Sequence, residues 1–307
     1  MKPTILKFGG TSVGSAAALS ATVGAVVAAA GDGPVVVVVS ALARVTDELD
    51  RSIATAVAGE PEWRSVLRSL HRRHLELLAA VAAGRAAATA ADALDRESAR
   101  LRDLLHGCQL LGEASPGVRA RILAAGERCS APVVAAALTA RGAPAAVFDG
   151  TELLVVEGDD EDGEPDLAAT RLRACGKLPA RDPIPVVTGF FGADGAGRLK
   201  LLGRGGSDTS ATVLGAALGA ARIEIWTDVD GIFDRDPALD EAAVRLPRLA
   251  YDDAEALARS GARVLHVKAI APARSAGVPI VVRNTFRPDA PGSRIDGAPE
   301  SVCYADF

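Results

Sequence analysis

Short apolar runs alternate along this chain with longer stretches in which apolar residues recur every three or four positions. The clearest runs are Thr4–Phe8, Val35–Val39, Ala145–Phe148, 185–188, 223–226 and 279–283. Runs of this length that are apolar at consecutive positions are typical of strands buried on both faces of a parallel sheet. The segments between them, among them 15–30, 121–138, 251–260 and 264–276, have the spacing of helices. This alternation predicts an α/β fold with a mostly parallel central sheet covered on both faces.

One long region departs from the alternation. From residue 47 to about 111 the pattern is helical and rich in Ala, Leu, Arg and Glu, and Pro61, Gly84 and Gly107 divide it. No strand signal interrupts it, so we expect a helical excursion near 47–120 between two elements of the sheet.

A first glycine turn follows the first apolar run. Lys7 stands at the end of the run, Gly9 and Gly10 come next, and Thr11 and Ser12 precede an alanine-rich helical pattern. Glycines let the backbone approach an oxyanion closely, and a helix N-terminus offers free N–H groups. The turn therefore predicts a phosphate site, although it lacks the spacing of a P-loop. A tight turn with a solvated lysine explains the same residues when they are taken alone.

A second glycine turn, 203–210, mirrors the first. It combines glycines with Arg204, Ser207 and Asp208, and a helical pattern follows to about Leu218. Arg204 can hold a carboxylate or phosphate with two parallel hydrogen bonds, and Asp208 can orient a lysine or a magnesium-bound water. A donor phosphate and an acceptor that meet between the two turns would suit phosphoryl transfer, which depends on positioning and charge neutralisation.

Three further polar residues are candidates for the same site. Ser40 ends the second apolar run and Thr46 follows it closely, at the edge where open α/β sheets bind ligands. Capping of a helix explains both residues equally well. Glu127 stands next to a glycine in an otherwise apolar helix, and a surface position is the simpler interpretation for it when it is taken alone.

Composition narrows the class of protein. The chain has 307 residues, 49% of them hydrophobic, and a net charge of −5, which argues against nucleic acid as a main partner. We expect neither a membrane span nor a signal peptide, and therefore a cytoplasmic protein. The four cysteines are scattered along the chain and indicate free thiols. The acidic segment 157–166 indicates an exposed loop. The arginine-rich run at 71–74 favours surface positions for His71 and His74.

Six ordered motifs identify a family resemblance that covers roughly residues 4–293. They are KFGGTSV at 7–13, VSA at 39–41 with Thr46, GE at 126–127, GF at 189–190, GRGGSD at 203–208 and TDVDG at 227–231. The chain resembles the catalytic domain of aspartate kinases, which have the amino acid kinase fold. The resemblance implies a three-layer αβα sandwich, with an amino-acid-binding lobe at about 1–195 and a nucleotide-binding lobe at about 196–307. It also implies ATP and Mg²⁺ as cofactors, L-aspartate as acceptor and 4-phospho-L-aspartate as product, and it leaves a homodimer open.

The resemblance also implies roles for individual residues. The transferred phosphoryl group would be stabilised by Lys7, Gly9 and Gly10, with Asp208 as organiser and Thr11 beside them. The amino acid would be bound by Ser40, Thr46, Glu127, Arg204 and Ser207, with Arg204 on its α-carboxylate and Glu127 on its α-ammonium. The nucleotide would contact Thr227, Asp228, Phe233, Asp236 and Arg263. No protein ligand for the metal is assigned.

The chain departs from the family pattern mainly on the nucleotide side. Phe233 stands where the family usually has Tyr, Ala238 where it has Arg, and Arg263 where it has Lys. We therefore expect weaker or altered nucleotide binding. The chain ends at Phe307 without a match to the ACT regulatory domains of such enzymes, so we also expect no feedback inhibition by lysine or threonine.

Three functions remain open from the sequence. The first is an aspartate kinase without its own regulatory module. The second is a related kinase for a different amino acid in a specialised pathway. The third is a weakly active pseudokinase or binding subunit, against which the presence of Lys7, Asp208, Glu127 and Arg204 together argues.

Overall fold

A computed structural model of the chain describes residues 1–235, 240, 242–260 and 265–297. Eight strands form one sheet in the order β12-β14-β13-β9-β1-β2-β6-β3. These strands are β1 (Thr4–Phe8), β2 (Val35–Val39), β3 (Ala145–Phe148), β6 (Ile184–Thr188), β9 (Arg222–Thr227), β12 (Arg248–Ala250), β13 (Ile280–Asn284) and β14 (Ser293–Asp296). From β3 to β13 every neighbouring pair is parallel, and only the β13–β14 pair is antiparallel. The predicted mostly parallel sheet is therefore confirmed.

Three small two-stranded ladders accompany the sheet. They are β4 (Val156–Glu157) with β5 (Glu164–Pro165), β7 (Phe191–Ala193) with β8 (Leu199–Leu201), and β10 (Ile232–Phe233) with β11 (Arg245–Leu246). The sequence pattern did not indicate these ladders, because strands of two or three residues are too short to show a period.

Helices cover both faces of the sheet. Along the chain they are α1 (Gly10–Val13), α2 (Ala16–Asp32), α3 (Val45–Val57), α4 (Trp63–Val81), α5 (Gly84–Leu111), α6 (Pro116–Leu123), α7 (Ala125–Ala140), α8 (Gly150–Leu153), α9 (Leu167–Lys177), α10 (Gly206–Leu218), α11 (Tyr251–Arg259) and α12 (Val267–Ala276). The predicted helical excursion is confirmed as α3 to α6. Gly107 does not divide it, because it lies inside α5, and the helix ends instead at Gly112, whose φ is +69°.

Side chains alternate between two hydrophobic cores along each central strand, as the twofold period of a strand requires. Leu6 and Phe8 of β1 point into a core shared with α2 to α7, whereas Ile5 points into a core shared with α9 to α12. The sheet is thus the middle layer of an αβα sandwich, as expected.

The segment Pro116–Ala140 is long and apolar enough to pass for a membrane span, but 89% of its apolar window is buried, as in the core helix of a globular domain.

Two expectations need correction here. His74 is only 2% exposed, because it lies on the apolar stripe of α4 that faces the core. The acidic segment 157–166, expected as a loop, contains part of the β4–β5 ladder, and a side-chain turn at Asp159 shapes it. Cys108, Cys129 and Cys175 are free thiols, and Cys303 lies outside the described residues.

Candidate active site

The site lies at the carboxyl edge of the sheet, where β1, β2, β6 and β9 end side by side. In parallel strands these ends meet at one edge, and ligands of open α/β sheets bind there. Lys7 is the last residue but one of β1, Ser40 and Gly189 directly follow β2 and β6, and Thr227 ends β9. The topology therefore brings together residues that are up to 220 positions apart in the sequence.

A cavity of about 390 Å³ occupies this edge. Eight of the predicted site residues line it: Lys7, Gly10, Ser40, Thr46, Glu127, Arg204, Ser207 and Asp208. Five other predicted residues, Gly9, Thr11, Thr227, Asp228 and Phe233, are not among the lining residues. Asp236 and Arg263 lie outside the described residues. The cavity thus unites the predicted acceptor residues with Lys7, Gly10 and Asp208 of the predicted phosphoryl site, and the described nucleotide residues lie beyond its lining.

Lys7 and Asp208 form the central ion pair of the cavity. Lys7 Nζ lies 2.6 Å from Asp208 Oδ1, and only 10% and 14% of the two side chains are exposed. Lys7 belongs to the central strand β1, and Asp208 lies in the first turn of α10. The ammonium group is therefore held in a defined position at the end of the strand, with a carboxylate that offsets the cost of burying its charge.

Glu127 is buried deeper in the same cavity. Its Oε1 accepts hydrogen bonds from the N–H of Ala41 at 3.0 Å and from the hydroxyl of Ser207 at 3.4 Å. Its Oε2 is buried without a hydrogen-bond partner among the described residues. Burial raises the pKa of Glu127 to about 8, and the hydrogen bonds from the Ala41 N–H and Ser207, with the charge of Lys7, oppose this shift. A carboxylate held in this way is suited to receive a cation from a ligand.

The glycines of the two turns allow close packing. A Cβ on Gly10 would lie 2.8 Å from the Ala41 carbonyl oxygen, so a larger residue would push apart β1 and the segment after β2. Gly205 has a φ of +72°, and a Cβ there would lie 2.5 Å from the His266 side chain. Both turns need glycine for steric reasons. The close approach of an oxyanion to these glycines stays a prediction.

Two details of the first turn differ from expectation. The N–H of Gly9 donates to the Trp226 carbonyl at 3.1 Å, which ties the turn to β9, so it is not free for a phosphoryl group as we expected. The turn leads into α1, a single helical turn that was not predicted. The long helix α2 begins after Ser15, close to its predicted start, and the Ser15 hydroxyl caps it. Gly10 opens α1, so its N–H has no acceptor within that helix.

The nucleotide-side candidates lie at the same edge of the sheet. The Thr227 hydroxyl donates to Asp228 Oδ1 at 3.2 Å, and the Thr227 carbonyl accepts from the N–H of Thr285 at 2.8 Å. The Asn284 side chain donates to the Asp228 carbonyl and to Asp230. Phe233 lies farther along the chain in β10, half-buried.

Sequence reasoning missed Arg44 and did not foresee the backbone conformation of Phe190. Both line the cavity, and both have a φ near +70°, which non-glycine residues rarely adopt. Arg44 and Arg204 are exposed, and among the residues that the structure describes neither has an ion-pair partner. No local signal marks Arg44 in the sequence, because the requirement for a left-handed residue arises only from the path between β2 and α3.

The fold is an α/β sandwich with a polar cavity at the carboxyl edge of its parallel sheet. The sequence profile of the amino acid kinase family matches residues 2–284, so the chain belongs to the amino acid kinase family.

Within that family the chain is similar to aspartokinases. It is 33% identical to aspartokinase 1, chloroplastic, of Arabidopsis thaliana over 95% of the chain and 51% of that protein. It is 32% identical to an aspartokinase of Chlamydia pneumoniae over 99% of the chain and 65% of that protein. The crystal structure of E. coli aspartokinase III in complex with aspartate and ADP matches with a TM-score of 0.89 and 30% identity, over 98% of this chain and 66% of the other. The chain therefore spans about half to two thirds of the length of these relatives.

Proposed function

We propose that this chain transfers the γ-phosphoryl group of MgATP to the side-chain carboxylate of L-aspartate. A carboxylate oxygen of aspartate would form a bond to the γ-phosphorus, the bond from that phosphorus to the bridging oxygen would break, and ADP would leave. The observation that carries the proposal is the single cavity in which the Lys7–Asp208 ion pair meets the buried Glu127 and the unpaired Arg204. The similarity to aspartokinases supports aspartate as acceptor.

The cavity offers complementary charges to a zwitterion. Glu127 would receive the α-ammonium group on its unpartnered Oε2, and Arg204 would bind the α-carboxylate. Arg44 supplies a second guanidinium at the rim, where it would hold the acceptor carboxylate before transfer. The hydroxyls of Ser40, Thr46 and Ser207 line the cavity between these charges and would complete the hydrogen bonds of the ligand.

The phosphoryl group would arrive next to Lys7. The ammonium of Lys7 would neutralise negative charge that develops on the transferred oxygens, and Asp208 would keep it in place. The N–H of Gly10 would add a dipole on the same side. Thr227, Asp228 and Phe233 would bind the nucleotide itself, together with Asp236 and Arg263.

Magnesium enters this proposal as part of the MgATP substrate. Among the described residues no group of three or more Asp, Glu, His or Cys side chains is arranged to hold a metal ion. Mg²⁺ is commonly bound by substrate phosphates with one or two carboxylates and water. Of the carboxylates that line the cavity, Asp208 is the one paired with Lys7, beside the proposed position of the transferred phosphoryl group.

A hydroxamate assay tests the proposal. The protein is incubated with MgATP, hydroxylamine and single amino acids, because hydroxylamine traps an acyl phosphate, and ADP release is followed in parallel. An aspartate-dependent hydroxamate is the expected result. A signal with another amino acid would point to the related kinase for a different acceptor, and ligand binding without turnover would point to a pseudokinase.

Lys7→Ala should lower kcat by at least about 100-fold, since it removes a preorganised positive charge at the transferred group. Lys177→Ala, at an exposed lysine paired with Glu152, is the matched control and should leave kcat unchanged. Circular dichroism shows whether both variants are folded. Full activity in folded Lys7→Ala protein would contradict the role of Lys7.

A further inference from the structure

A second and larger cavity lies on the other side of α7. Its volume is about 1000 Å³, and α5, α7 and the edge strand β3 form its walls. Helix α7 separates it from the candidate active site, because Glu127 lines the first cavity and the next residue, Arg128, lines the second. The proposed phosphoryl transfer uses none of the residues in this second cavity.

Arg128 presents one unused donor to the cavity. Its Nε and Nη2 donate to the carboxylate of Asp149 at 2.7 and 3.3 Å, and its guanidinium lies over the ring of Phe191 at 5.0 Å. The third nitrogen, Nη1, is buried and has no hydrogen-bond partner among the described residues. Asp149 and Phe191 thus hold the guanidinium in place, with the NH2 group at Nη1 still to be satisfied.

Glu97 presents an unused acceptor to the same cavity. Its side chain is only 12% exposed, and its nearest ion-pair contact is Arg100 at 3.7 Å, beyond hydrogen-bond distance. Its Oε1 is buried without a partner among the residues that the structure describes. Burial raises the pKa of Glu97, and the charge of Arg128 opposes that shift.

A buried donor or acceptor without a hydrogen-bond partner is unfavourable and rare in folded proteins. A ligand that carries both a carboxylate and an ammonium group would satisfy the two at once. The carboxylate would accept from Arg128 Nη1, and the ammonium would donate to Glu97 Oε1.

The rim of the cavity adds a preference for negative charge. Arg85, Arg96 and Arg100 line it and are exposed, and neither Arg85 nor Arg96 has an ion-pair partner among the described residues. Glu152, which also lines the cavity, is paired with Lys177 at 3.3 Å. A free carboxylate on the ligand would therefore be attracted to the rim.

We propose that this cavity is a second small-molecule site, which binds an α-amino acid with an acidic side chain. Arg128 binds the α-carboxylate, Glu97 binds the α-ammonium, and Arg85 and Arg96 attract the side-chain carboxylate. The site does not depend on the proposed kinase activity, because it shares no lining residue with the first cavity.

Calorimetric titration with L-glutamate and glutarate tests the site. The two probes share a five-carbon skeleton and two carboxylates, and glutarate lacks the ammonium group. The titrations use the Arg204→Ala variant, whose first cavity has lost its carboxylate-binding guanidinium. We expect one L-glutamate per chain and at least about tenfold weaker binding of glutarate, which corresponds to about 1.4 kcal/mol.

Glu97→Gln, added to the same protein, should reduce the difference between the probes to about twofold or less, since it removes the charge that binds the ammonium. Arg96→Ala should weaken both probes alike. Glu76→Gln, at an exposed residue of α4, is the control and should change neither. Absence of L-glutamate binding, equal binding of the two probes, or a Glu97→Gln protein that still prefers L-glutamate would each overturn the proposal.

Discussion

Glu127 shows at the scale of one residue how burial prepares a binding group. It lies in the first turn of α7, is only 3% exposed, and has one oxygen satisfied by Ala41 and Ser207 and one oxygen without a partner. With its pKa raised to about 8 by burial, it is mostly protonated at neutral pH in the ligand-free protein. It must lose that proton to pair with an ammonium group.

Aspartate binding at pH 7 should therefore release close to one proton. The pKa of Glu127 falls when an ammonium group binds beside it. At any pH between the pKa of the ligand-bound protein and that of the ligand-free protein, binding therefore converts the protonated carboxyl group to a carboxylate. Calorimetry in two buffers with different ionisation enthalpies measures the released protons. The release should vanish in Glu127→Gln and should decline above pH 8, and equal apparent enthalpies in both buffers at pH 7 would contradict this account.

Arg44 shows the opposite case, a residue whose backbone is strained at the site. Its φ is +69° at the residue before α3, and its side chain makes no capping hydrogen bond there. A left-handed non-glycine residue costs roughly 1–2 kcal/mol and tends to occur at functional sites, where the surrounding structure maintains it.

Two single substitutions at Arg44 separate the effect of backbone strain on stability from the effect of the guanidinium on aspartate binding. Arg44→Gly should raise the free energy of unfolding by about 0.5–1 kcal/mol, since the relief of strain exceeds the added flexibility of the unfolded chain. Arg44→Ala keeps the strain and should give no such gain. Both should raise the KM for aspartate, because both lose the guanidinium. Urea unfolding and steady-state kinetics measure the two effects, and an unchanged KM in both variants would remove Arg44 from the acceptor site.

At the scale of elements, α4 shows why an apolar stripe prevails over a local charge pattern. The run 71–74 is His-Arg-Arg-His, but the helical period places His74 on the same face as Leu70, Leu77 and Leu78. His74 Nδ1 is hydrogen-bonded to the Leu70 carbonyl, and burial lowers the pKa of His74 to about 4. The ring is therefore neutral in the folded protein at pH values where it is charged in the unfolded chain.

His74 should make the protein less stable in mild acid. Because the folded-state pKa is lower than the unfolded value of 6.5, its stabilising contribution is complete above pH 6.5 and is lost as the pH falls towards 4. Between pH 7 and pH 5 the loss is about 2 kcal/mol. Urea unfolding at pH 7 and pH 5 measures this loss of unfolding free energy. In the His74→Met variant the loss should be smaller than in the wild type by about 2 kcal/mol. The His106→Ala variant, changed at an exposed histidine, should behave like the wild type.

The ends of the elements also show how local signals and tertiary contacts share control. Strands β1, β2 and β3 match the predicted bounds, because a short apolar run favours a strand by itself. β1 and β2 are buried along their whole length, as expected, whereas β3 is the edge strand of the sheet and is only half-buried, with Val147 exposed. Helix α2 was predicted to begin at about residue 15 and begins at Ala16. The Ser15 hydroxyl caps it by accepting a hydrogen bond from the Ala18 N–H. The single turn α1 was not predicted, because contacts with β9 and with the segment after β2 shape it.

At the scale of the whole molecule, the acidic segment 157–166 links elements that are distant in the sequence. Glu161 pairs with Arg119 of α6 at 2.9 Å, Asp160 pairs with Lys200 of β8, and Asp162 pairs with Lys268 of α12 at 2.7 Å. The carboxylate of Asp162 also lies against Gly203, at the start of the second glycine turn. The segment therefore braces that turn from outside.

Two lysine variants should show that a buried ion pair with the acidic segment contributes more to the free energy of unfolding than an exposed one. Lys200 has a side chain that is only 8% exposed and donates to the Gly158 carbonyl as well as to Asp160, so Lys200→Ala should cost about 2 kcal/mol of unfolding free energy. Lys268 is 28% exposed and its partners Asp162 and Glu164 are mostly exposed, so Lys268→Ala should cost less than about 1 kcal/mol. Urea unfolding compares them, and equal losses would contradict the difference in burial as the cause.

The sequence by itself determined the parallel sheet, its main strands and eight of the residues that line the first cavity. The sheet and its strands depend on the local apolar period, and Lys7, Arg204 and Asp208 could be named from glycine-rich turns, both of which are properties of short segments. Glu127 was named only through the family resemblance, and the 2.6 Å contact of Lys7 with Asp208 required the packing of β1 against α10.

Only the tertiary structure decided the burial and the conformation of individual groups. The raised pKa of Glu127, the left-handed backbone of Arg44, the use of the Gly9 N–H by Trp226 and the second cavity beside Arg128 all depend on neighbours that are far away in the sequence. Desolvation and hydrogen-bond satisfaction are properties of a packed environment, and no short segment of the chain contains that environment.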